Sequence, residues 1–160
     1  MNVIQKLKGS SLPLLLGLCA WGLQVACTND DPVDADIVAG SQSSLNAACD
    51  QWRTARADWE QTEAFLFGAA DKYSIDPHTD TWPVDQAALA NILRDPAIMA
   101  DIDNKVKLLN SGVLGYHGIE YVLFRPGNPR DISQLTDLEY RYVCAVAKDL
   151  YQATCMLQTP

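Results

Sequence analysis

The sequence predicts an all-α fold, an up-and-down bundle of four or five helices, and three observations support this prediction. Apolar residues recur at three- and four-residue steps from residue 41 almost to the end of the chain. Helix-starting and helix-stopping residues interrupt that pattern, as at Asp95 and Pro96. No stretch alternates between apolar and polar residues for long enough to indicate a β-strand.

The composition is that of a single globular domain. The chain has 160 residues, of which 48% are hydrophobic and 20% are charged. These values exclude a disordered chain, a collagen-like fibre and a polytopic membrane protein. The formal net charge is −8, and the basic residues are scattered along the sequence. Because nucleic-acid binding needs clustered Lys and Arg to neutralise phosphates, we expect no nucleic-acid partner.

The first 26 residues have the pattern of a secretory signal peptide. Lys6 and Lys8 are the only charged residues in this segment, and the apolar stretch 12–20 follows them. That stretch is shorter than the roughly 20 apolar residues that a transmembrane helix needs. We therefore expect residues 1–26 to direct export.

Cys27 is the candidate lipidation site. Ala26 precedes it directly, as a small residue does in the lipobox of bacterial lipoproteins. Gln24 stands where an aliphatic residue is usual, which leaves ordinary signal-peptidase cleavage as an alternative. Residues 27–40 are rich in aspartate and indicate a solvated tether. The expected partner is the membrane, through a lipid anchor in the outer membrane of the cell envelope, with the folded part facing the periplasm or the surface.

The first predicted helix reaches Leu66, with Gly68 as its stop. Trp52 and Trp59 mark its apolar stripe. At 100° per residue, Glu63 falls about 20° from Trp52 and about 40° from Trp59. Its carboxylate therefore lies in the middle of the stripe and needs a partner from another helix.

Residues 69–85 are predicted to be irregular, because Pro77 and Pro83 disfavour a continuous helix. His78 is therefore expected in a loop, where a hydrogen bond to the backbone and a ligand role are equally good interpretations. We expect Trp82 to be a core residue rather than a residue on which a ligand stacks.

Capping residues indicate where the next two helices begin. Asp85 or Pro83 is expected to start a short helix that continues through Leu93. The pair Asp95–Pro96 has the pattern of an N-cap followed by the first helical residue. The helix that it opens is expected to continue through Val106.

Two further helices complete the predicted bundle. The first runs from about Val113 to Phe124, where a turn rich in proline and glycine stops it. Ser133 or Thr136 caps the last helix, whose apolar stripe continues to Leu157.

His117 and Glu120 are the candidate site residues. They are three apart on a predicted helix, so both side chains leave the same, otherwise apolar face. Gly115 and Gly118 each cost that helix roughly 1 kcal/mol relative to alanine, which indicates that a ligand or another backbone approaches closely. The spacing alone leaves two interpretations open: a metal-binding pair, or a core histidine that hydrogen-bonds to Glu120.

Three segments resemble the signatures of the imelysin family of bacterial cell-envelope proteins, in the order in which that family carries them. Residues 115–124, GYHGIEYVLF, resemble the family's GxHxxE motif. Residues 59–68, WEQTEAFLFG, are similar to its first signature, and residues 75–85, IDPHTDTWPVD, to its second. The resemblance implies an all-helical fold, which in this family consists of two similar bundles with the functional site between them.

The resemblance also implies a cofactor. The family includes proteins described as metallopeptidases and others tied to iron acquisition, so we expect a divalent metal ion, iron or zinc. Its expected ligands are His117, Glu120 and Glu63, with Glu60 and His78 as second-tier candidates. Glu60 also has a simpler role available, as the exposed partner of the arginine four residues earlier.

The chain is much shorter than the members of that family. We therefore expect residues 41–160 to form a truncated imelysin-like bundle. A second helical bundle or iron-uptake components are the expected protein partners.

Metal binding is the favoured function, because carboxylate and imidazole ligands suffice for it and an acidic surface attracts cations. The alternative is a metalloendopeptidase, which needs an open coordination site, an activated water and a general base. The motif lacks the HExxH spacing, since it has one histidine and no glutamate beside it. An inactive half-protein is the third interpretation.

A disulfide is predicted between Cys49 and Cys144. Cys49 lies at the edge of the first helix's apolar stripe, and Cys144 lies early in the last helix. Neighbouring antiparallel helices could bring their Cα atoms to a separation of about 5.5 Å, as a disulfide requires. The bridge would close a loop of about a hundred residues, worth about 4–5 kcal/mol in the chain-entropy model. Cys155, three turns later on the same face, is the second choice.

Overall fold

The structure, a computed structural model, describes residues 41–62, 64, 66–125 and 127–158. In these residues the chain is all-α, as predicted, with short 3-10 turns and no strand. The helices in chain order are α1 (Gln42–Glu60), α2 (Ala69–Lys72), α3 (Ile75–Thr79), α4 (Gln86–Arg94), α5 (Pro96–Met99), α6 (Ile102–Lys105), α7 (Gly115–Leu123) and α8 (Asp137–Cys155). The predicted signal peptide, the tether with Cys27, and Glu63 all lie outside the described residues.

Helix α7 occupies the centre of the fold. It packs against α8 on one side and against α1 and α3 on the others. Its apolar residues Ile119, Val122 and Leu123 belong to a large hydrophobic core. Because Tyr116 contacts Trp59 and Phe124 contacts Trp52, α7 runs antiparallel to α1. None of the helices in the described part of the chain is both long and apolar enough to cross a bilayer.

Helix α1 is shorter than its apolar pattern predicts. It ends at Glu60 rather than near Leu66. In a continuing α-helix the carbonyl of Trp59 would accept from the residue four positions later, but here the amide and hydroxyl of Thr62 both donate to it, each at 2.7 Å. Glu63 itself lies outside the described residues, so its position on the apolar stripe stays a prediction.

The segment predicted to be irregular contains two short helices, α2 and α3, so that prediction is wrong. Pro77 lies within the first turn of α3, where its missing N–H costs nothing because the first amides of a helix have no intrahelical partner. His78 is consequently helical rather than in a loop. The α3 segment packs against both α7 and α8.

The predicted capping residues of the middle helices are confirmed. The Asp85 carboxylate accepts from the amide of Ala88 at the start of α4, and Asp95 caps α5 with Pro96 at its first position. The helix that follows Pro96 is nevertheless interrupted. Asp101 has a non-helical backbone and starts α6 as a separate element.

The last helix follows its prediction closely. Of the two candidate caps, Thr136 is the one used, and it forms a capping box with Glu139. The buried Tyr142 hydroxyl donates to the carbonyl of Val113, which ties α8 to the turn before α7. The last helix therefore carries the surface on which α7 rests.

The predicted disulfide is wrong for both partners considered. Cys49 and Cys155 are free thiols, which excludes a bridge from Cys49 to Cys144 or to Cys155. Cys49 lies on α1, and it is α7 that packs closely against both α1 and α8. Burial raises the pKa of the Cys49 thiol to about 11, so it behaves as a small apolar core residue.

Candidate functional site

The site begins with a close approach between two backbones. Gly115 opens α7 with a φ of 66°, and a Cβ atom there would lie 2.0 Å from the carbonyl oxygen of Thr79. A Cβ atom on Gly118 would lie 2.6 Å from the carbonyl oxygen of Val113 and 2.9 Å from the hydroxyl of Tyr142. Of the two interpretations of these glycines, close backbone packing is therefore the one that the structure supports. It brings the end of α3 against the start of α7.

His117 lies between two carboxylates from different elements. Its Nδ1 atom is 2.9 Å from Oε2 of Glu120, one turn further along α7. Its Nε2 atom is 3.0 Å from Oδ1 of Asp80, which follows α3 directly. The His117 side chain is 15% exposed, while that of Glu120 is 40% exposed, so the histidine lies at the edge of the core and Glu120 faces solvent.

Asp80 is the buried member of this group, with its side chain only 8% exposed. Its Oδ2 atom accepts from the indole N–H of Trp59 at 3.0 Å and pairs with the Arg56 guanidinium at 2.5 Å. Its Oδ1 atom has no hydrogen bond, although it lies 3.0 Å from Nε2 of His117. The two atoms are therefore close but not aligned for hydrogen bonding.

The protons of His117 do not suffice for both carboxylates. A neutral imidazole carries one N–H, and if Nδ1 donates it to Glu120, the lone pair of Nε2 faces Oδ1 of Asp80. Nε2 of His117 and Oδ1 of Asp80 are then two acceptors that lie 3.0 Å apart. They need a positive charge between or beside them, either a second proton on the ring or a bound cation.

The charged side chains around the imidazole give the site a net negative charge. Arg56 pairs with Glu60 on α1 as well as with Asp80, so the exposed-pair role expected for Glu60 is the one that it has. With a neutral imidazole, the carboxylates of Asp80, Glu120 and Glu60 outnumber the single guanidinium by two charges. Glu60 contacts Arg56 and is not brought to His117.

Trp82 covers one side of His117 from the solvent. Its ring centroid lies 4.7 Å from that of the imidazole at an interplanar angle of 57°. The tryptophan is 69% exposed, so the expectation that it is a core residue is wrong. It is an outer wall of the site instead.

His78 belongs to a different place in the molecule. Its Nε2 atom is 2.6 Å from Oδ2 of Asp149 on α8. That hydrogen bond, despite opposing burial, raises the pKa of His78 above its ordinary value. Glu63 lies outside the described residues, so its ligand role stays a prediction.

The donor chemistry of the site fits a divalent cation. Imidazole nitrogen and carboxylate oxygen suit zinc and iron, and the buried Oδ1 atom of Asp80 lacks a partner. Across residues 41–62, 64, 66–125 and 127–158, no three His, Cys, Asp or Glu side chains group closely enough to hold a metal ion. His117 and Asp80 are thus the candidate ligands among the described residues, and they are too few for a complete ligand set.

Sequence reasoning missed Asp80 and the role of Arg56. Asp80 stands inside the segment 75–85 that resembles the second imelysin signature, directly before the Thr81–Trp82 pair. That position is the signal that could have found it. Its partners lie 24 and 37 residues away along the chain, at Arg56 and His117, so spacing does not reveal the contact.

Comparisons with known proteins agree with the motif resemblance. The model of the imelysin family, Peptidase_M75, matches residues 23–159. Iron-regulated protein A of Synechococcus elongatus is 37% identical over 91 residues, which are 57% of this chain and 23% of that protein. The chain thus spans about a quarter of the length of this curated relative.

A solved structure resembles the fold as well. The crystal structure of a protein of Parabacteroides distasonis, described as an iron-regulated protein A precursor, superposes with a TM-score of 0.70 at 30% sequence identity. The match covers 88% of this chain and 38% of that one. The helical arrangement around the site is therefore shared with a longer protein.

Proposed function

Because the chain belongs to the imelysin family, we propose that it is a cell-envelope lipoprotein that binds a divalent metal ion, iron or zinc, in iron acquisition or homeostasis. One observation carries the metal-binding part of the proposal. Nε2 of His117 and the buried Oδ1 of Asp80 face each other at 3.0 Å without a hydrogen bond. A cation satisfies both atoms at once.

The residues of the site would have different roles in binding the ion. His117 and Asp80 would be ligands, and Glu120 would accept the Nδ1 proton and so fix the tautomer that leaves Nε2 free to bind. Glu63 is the predicted further ligand. When bound, a divalent ion supplies a positive charge and Lewis acidity toward any additional ligand.

Electrostatics support cation binding at two levels. The site has a net charge of about −2 when the imidazole is neutral, since Arg56 offsets only one of three carboxylates. The whole chain has a formal charge of −8, which raises the local concentration of cations. Arg56 and Trp59 hold the far oxygen of Asp80, which leaves its other oxygen toward His117.

Iron is favoured by the names of the relatives. The proteins of Synechococcus elongatus and Parabacteroides distasonis are both described as iron-regulated protein A. Since this chain matches parts of each, a role in iron acquisition or homeostasis is the proposal that extends most directly from them. A second helical bundle or iron-uptake components are the proposed protein partners.

Metal content after saturation tests the proposal. The purified chain is loaded with Fe²⁺ under anaerobic conditions or with Zn²⁺, desalted, and analysed by mass spectrometry of the elements. We expect about one equivalent in the wild type and a large loss in both Asp80→Asn and His117→Gln. His78→Gln is the matched control, because it removes the other histidine next to a buried aspartate, and it should retain the ion.

The same experiment separates a cation from a second proton on His117. If the ring is doubly protonated, the wild type retains no more metal than His117→Gln, and the metal-binding proposal fails. Equal retention by all variants would also contradict it, because the ion would then be bound elsewhere. Circular dichroism of each variant confirms that the helices remain.

The lipid anchor is a separate part of the proposal and rests on Cys27. Metabolic labelling with a fatty-acid analogue is expected to label the wild type and not Cys27→Ser, and the variant should move from the membrane to the soluble fraction. Labelling of both proteins alike would refute lipidation at Cys27.

A further inference from the structure

A cleft opens beside α3, and its lining does not include His117. It has a volume of about 510 Å³ and lies between α3, α8 and the 3-10 turns that follow α6 and precede α7. This volume suits a small organic molecule. Ile75, Ala153 and Met156 provide apolar walls.

Polar groups meet in this cleft in a specific arrangement. Asp149 is almost entirely buried on α8, and His78 pairs with it at 2.6 Å. The ion pair fixes the orientation of the His78 ring, which is partly exposed and lines the cleft. Ser111 adds a hydroxyl to the same wall.

The accessible charge of the cleft is positive. Asp149 is the one carboxylate among the lining residues, and it is already engaged by His78. Lys107 lines the cleft too, and its ammonium group makes no ion pair within the part of the chain that the structure describes. In a chain with twenty acidic and twelve basic residues, an accessible lysine without a nearby free carboxylate favours an anionic ligand.

We propose that this cleft binds a small organic anion, a carboxylate on an apolar body. Lys107 receives the carboxylate, with His78 and Ser111 as hydrogen-bonding neighbours. The apolar body lies against Ile75 and Ala153. Lys107 supplies the positive charge, and His78 serves as a hydrogen-bonding neighbour only.

Several features favour an anion over a cation or a neutral ligand. A cation would need an accessible carboxylate, and the only one in the lining, Asp149, is almost entirely buried and pairs through Oδ2 with His78. A neutral apolar ligand would leave the Lys107 ammonium unmatched beside it. A carboxylate satisfies Lys107 and places its apolar part on the surface of Ile75, Ala153 and Met156.

Binding of 4-fluorobenzoate to the full-length chain tests this proposal, followed by fluorine NMR. Its amide, 4-fluorobenzamide, has nearly the same shape and no charge. We expect the benzoate to bind at least about tenfold more tightly than the amide, as one charge-assisted contact provides. Lys107→Met should remove that tenfold advantage.

Lys105→Met is the matched control. It removes the same charge two residues away, where Lys105 makes a surface hydrogen bond to Ala97 and does not line the cleft. Its benzoate affinity should equal that of the wild type. Proton–nitrogen NMR spectra of the protein titrated with the benzoate should show perturbed backbone amides that include Ser111 and Gln152.

Three results would overturn the proposal. The first is equal affinity for the benzoate and the amide in the wild type. The second is an equal effect of Lys105→Met and Lys107→Met, which would indicate general attraction by surface charge. The third is saturation at amides remote from Ser111 and Gln152. Lys107 is exposed and Lys105 is half-buried, so circular dichroism of both variants is used to confirm that they are folded.

Discussion

Gly115 shows how much one missing side chain contributes to the site. Its hydrogen atom stands where any other residue would place a Cβ against the Thr79 carbonyl, and its φ of 66° is unfavourable for residues with side chains. Two residues later the chain reaches His117, and one residue after Thr79 it reaches Asp80. The glycine therefore sets the spacing between two site residues without touching either.

Gly115→Ala is predicted to destabilise the protein severely. It adds the strain of a positive φ, of order 1–3 kcal/mol, to a clash with backbone atoms that cannot move as a flexible side chain can. Gly68→Ala is the control, since Gly68 has a φ of 67° but open space around its Cβ position. Urea unfolding should show a loss for Gly115→Ala that exceeds the loss for Gly68→Ala by at least about 2 kcal/mol. Equal losses would show that the contact with Thr79 relaxes.

Single residues also show what the sequence could predict of the site. His117 and Glu120 follow from the motif, since a helix places residues three apart on one face, and they are 2.9 Å apart. Asp80 could not be found in this way. Its contact with His117 depends on how α3 lies against α7, which spacing along the chain does not report.

Helix boundaries depend on local chemistry that a periodic pattern reports only in part. Asp85, Asp95 and Thr136 were predictable as caps because each is an oxygen-bearing side chain just before an apolar stripe. The end of α1 was not predictable, because the apolar pattern continues beyond Thr62. The hydroxyl of Thr62 donates a hydrogen bond to the Trp59 carbonyl there. Periodicity describes which face is buried, not where a competing hydrogen bond ends the helix.

Thr136→Ala is predicted to cost about 1 kcal/mol of folding stability. The hydroxyl of Thr136 accepts from the amide of Glu139, and the Glu139 carboxylate accepts from the amide of Thr136. Ser133, the other candidate cap, instead binds Asp131 at an exposed position. Ser133→Ala should therefore change the free energy of unfolding by less than about 0.5 kcal/mol. A larger loss of stability for Ser133→Ala than for Thr136→Ala would contradict the assignment of Thr136 as the N-cap.

The features that the sequence predicts least well are those that depend on how the helices pack against one another. The all-α class was predictable from periodicity, whereas the neighbours of each helix were not. Cys49 on α1 is a free thiol, and the helix that packs closely against both α1 and α8 is α7. In the same way, His78 pairs with Asp149 across the molecule rather than with its neighbours in sequence.

The pair of His78 and Asp149 predicts a pH dependence of stability. The hydrogen bond that His78 donates to Asp149 raises the pKa of His78 in the folded state, so folding favours the protonated ring. This contribution is fully present below the unfolded pKa of about 6.5 and is lost as the pH rises through the higher folded value. The free energy of unfolding should therefore fall above about pH 6.5.

Urea unfolding at a series of pH values measures this effect. The difference in stability between the wild type and His78→Gln should be largest in acid and should shrink toward alkaline pH. Asp149→Asn should flatten the dependence in the same way, because it removes the partner of the imidazolium. A difference that stays constant with pH would show that the pair contributes only as a neutral hydrogen bond.

The contact between Gly115 and Thr79 has a consequence for ligand affinity. Two backbones in direct contact cannot separate without breaking the packing of α3 on α7, so Asp80 and His117 stay in place before any ligand arrives. Association of the proposed ion would then cost the protein little conformational entropy, which favours a lower dissociation constant. The site is preorganised by a glycine, and loosening that contact should weaken binding even where every ligating atom is retained.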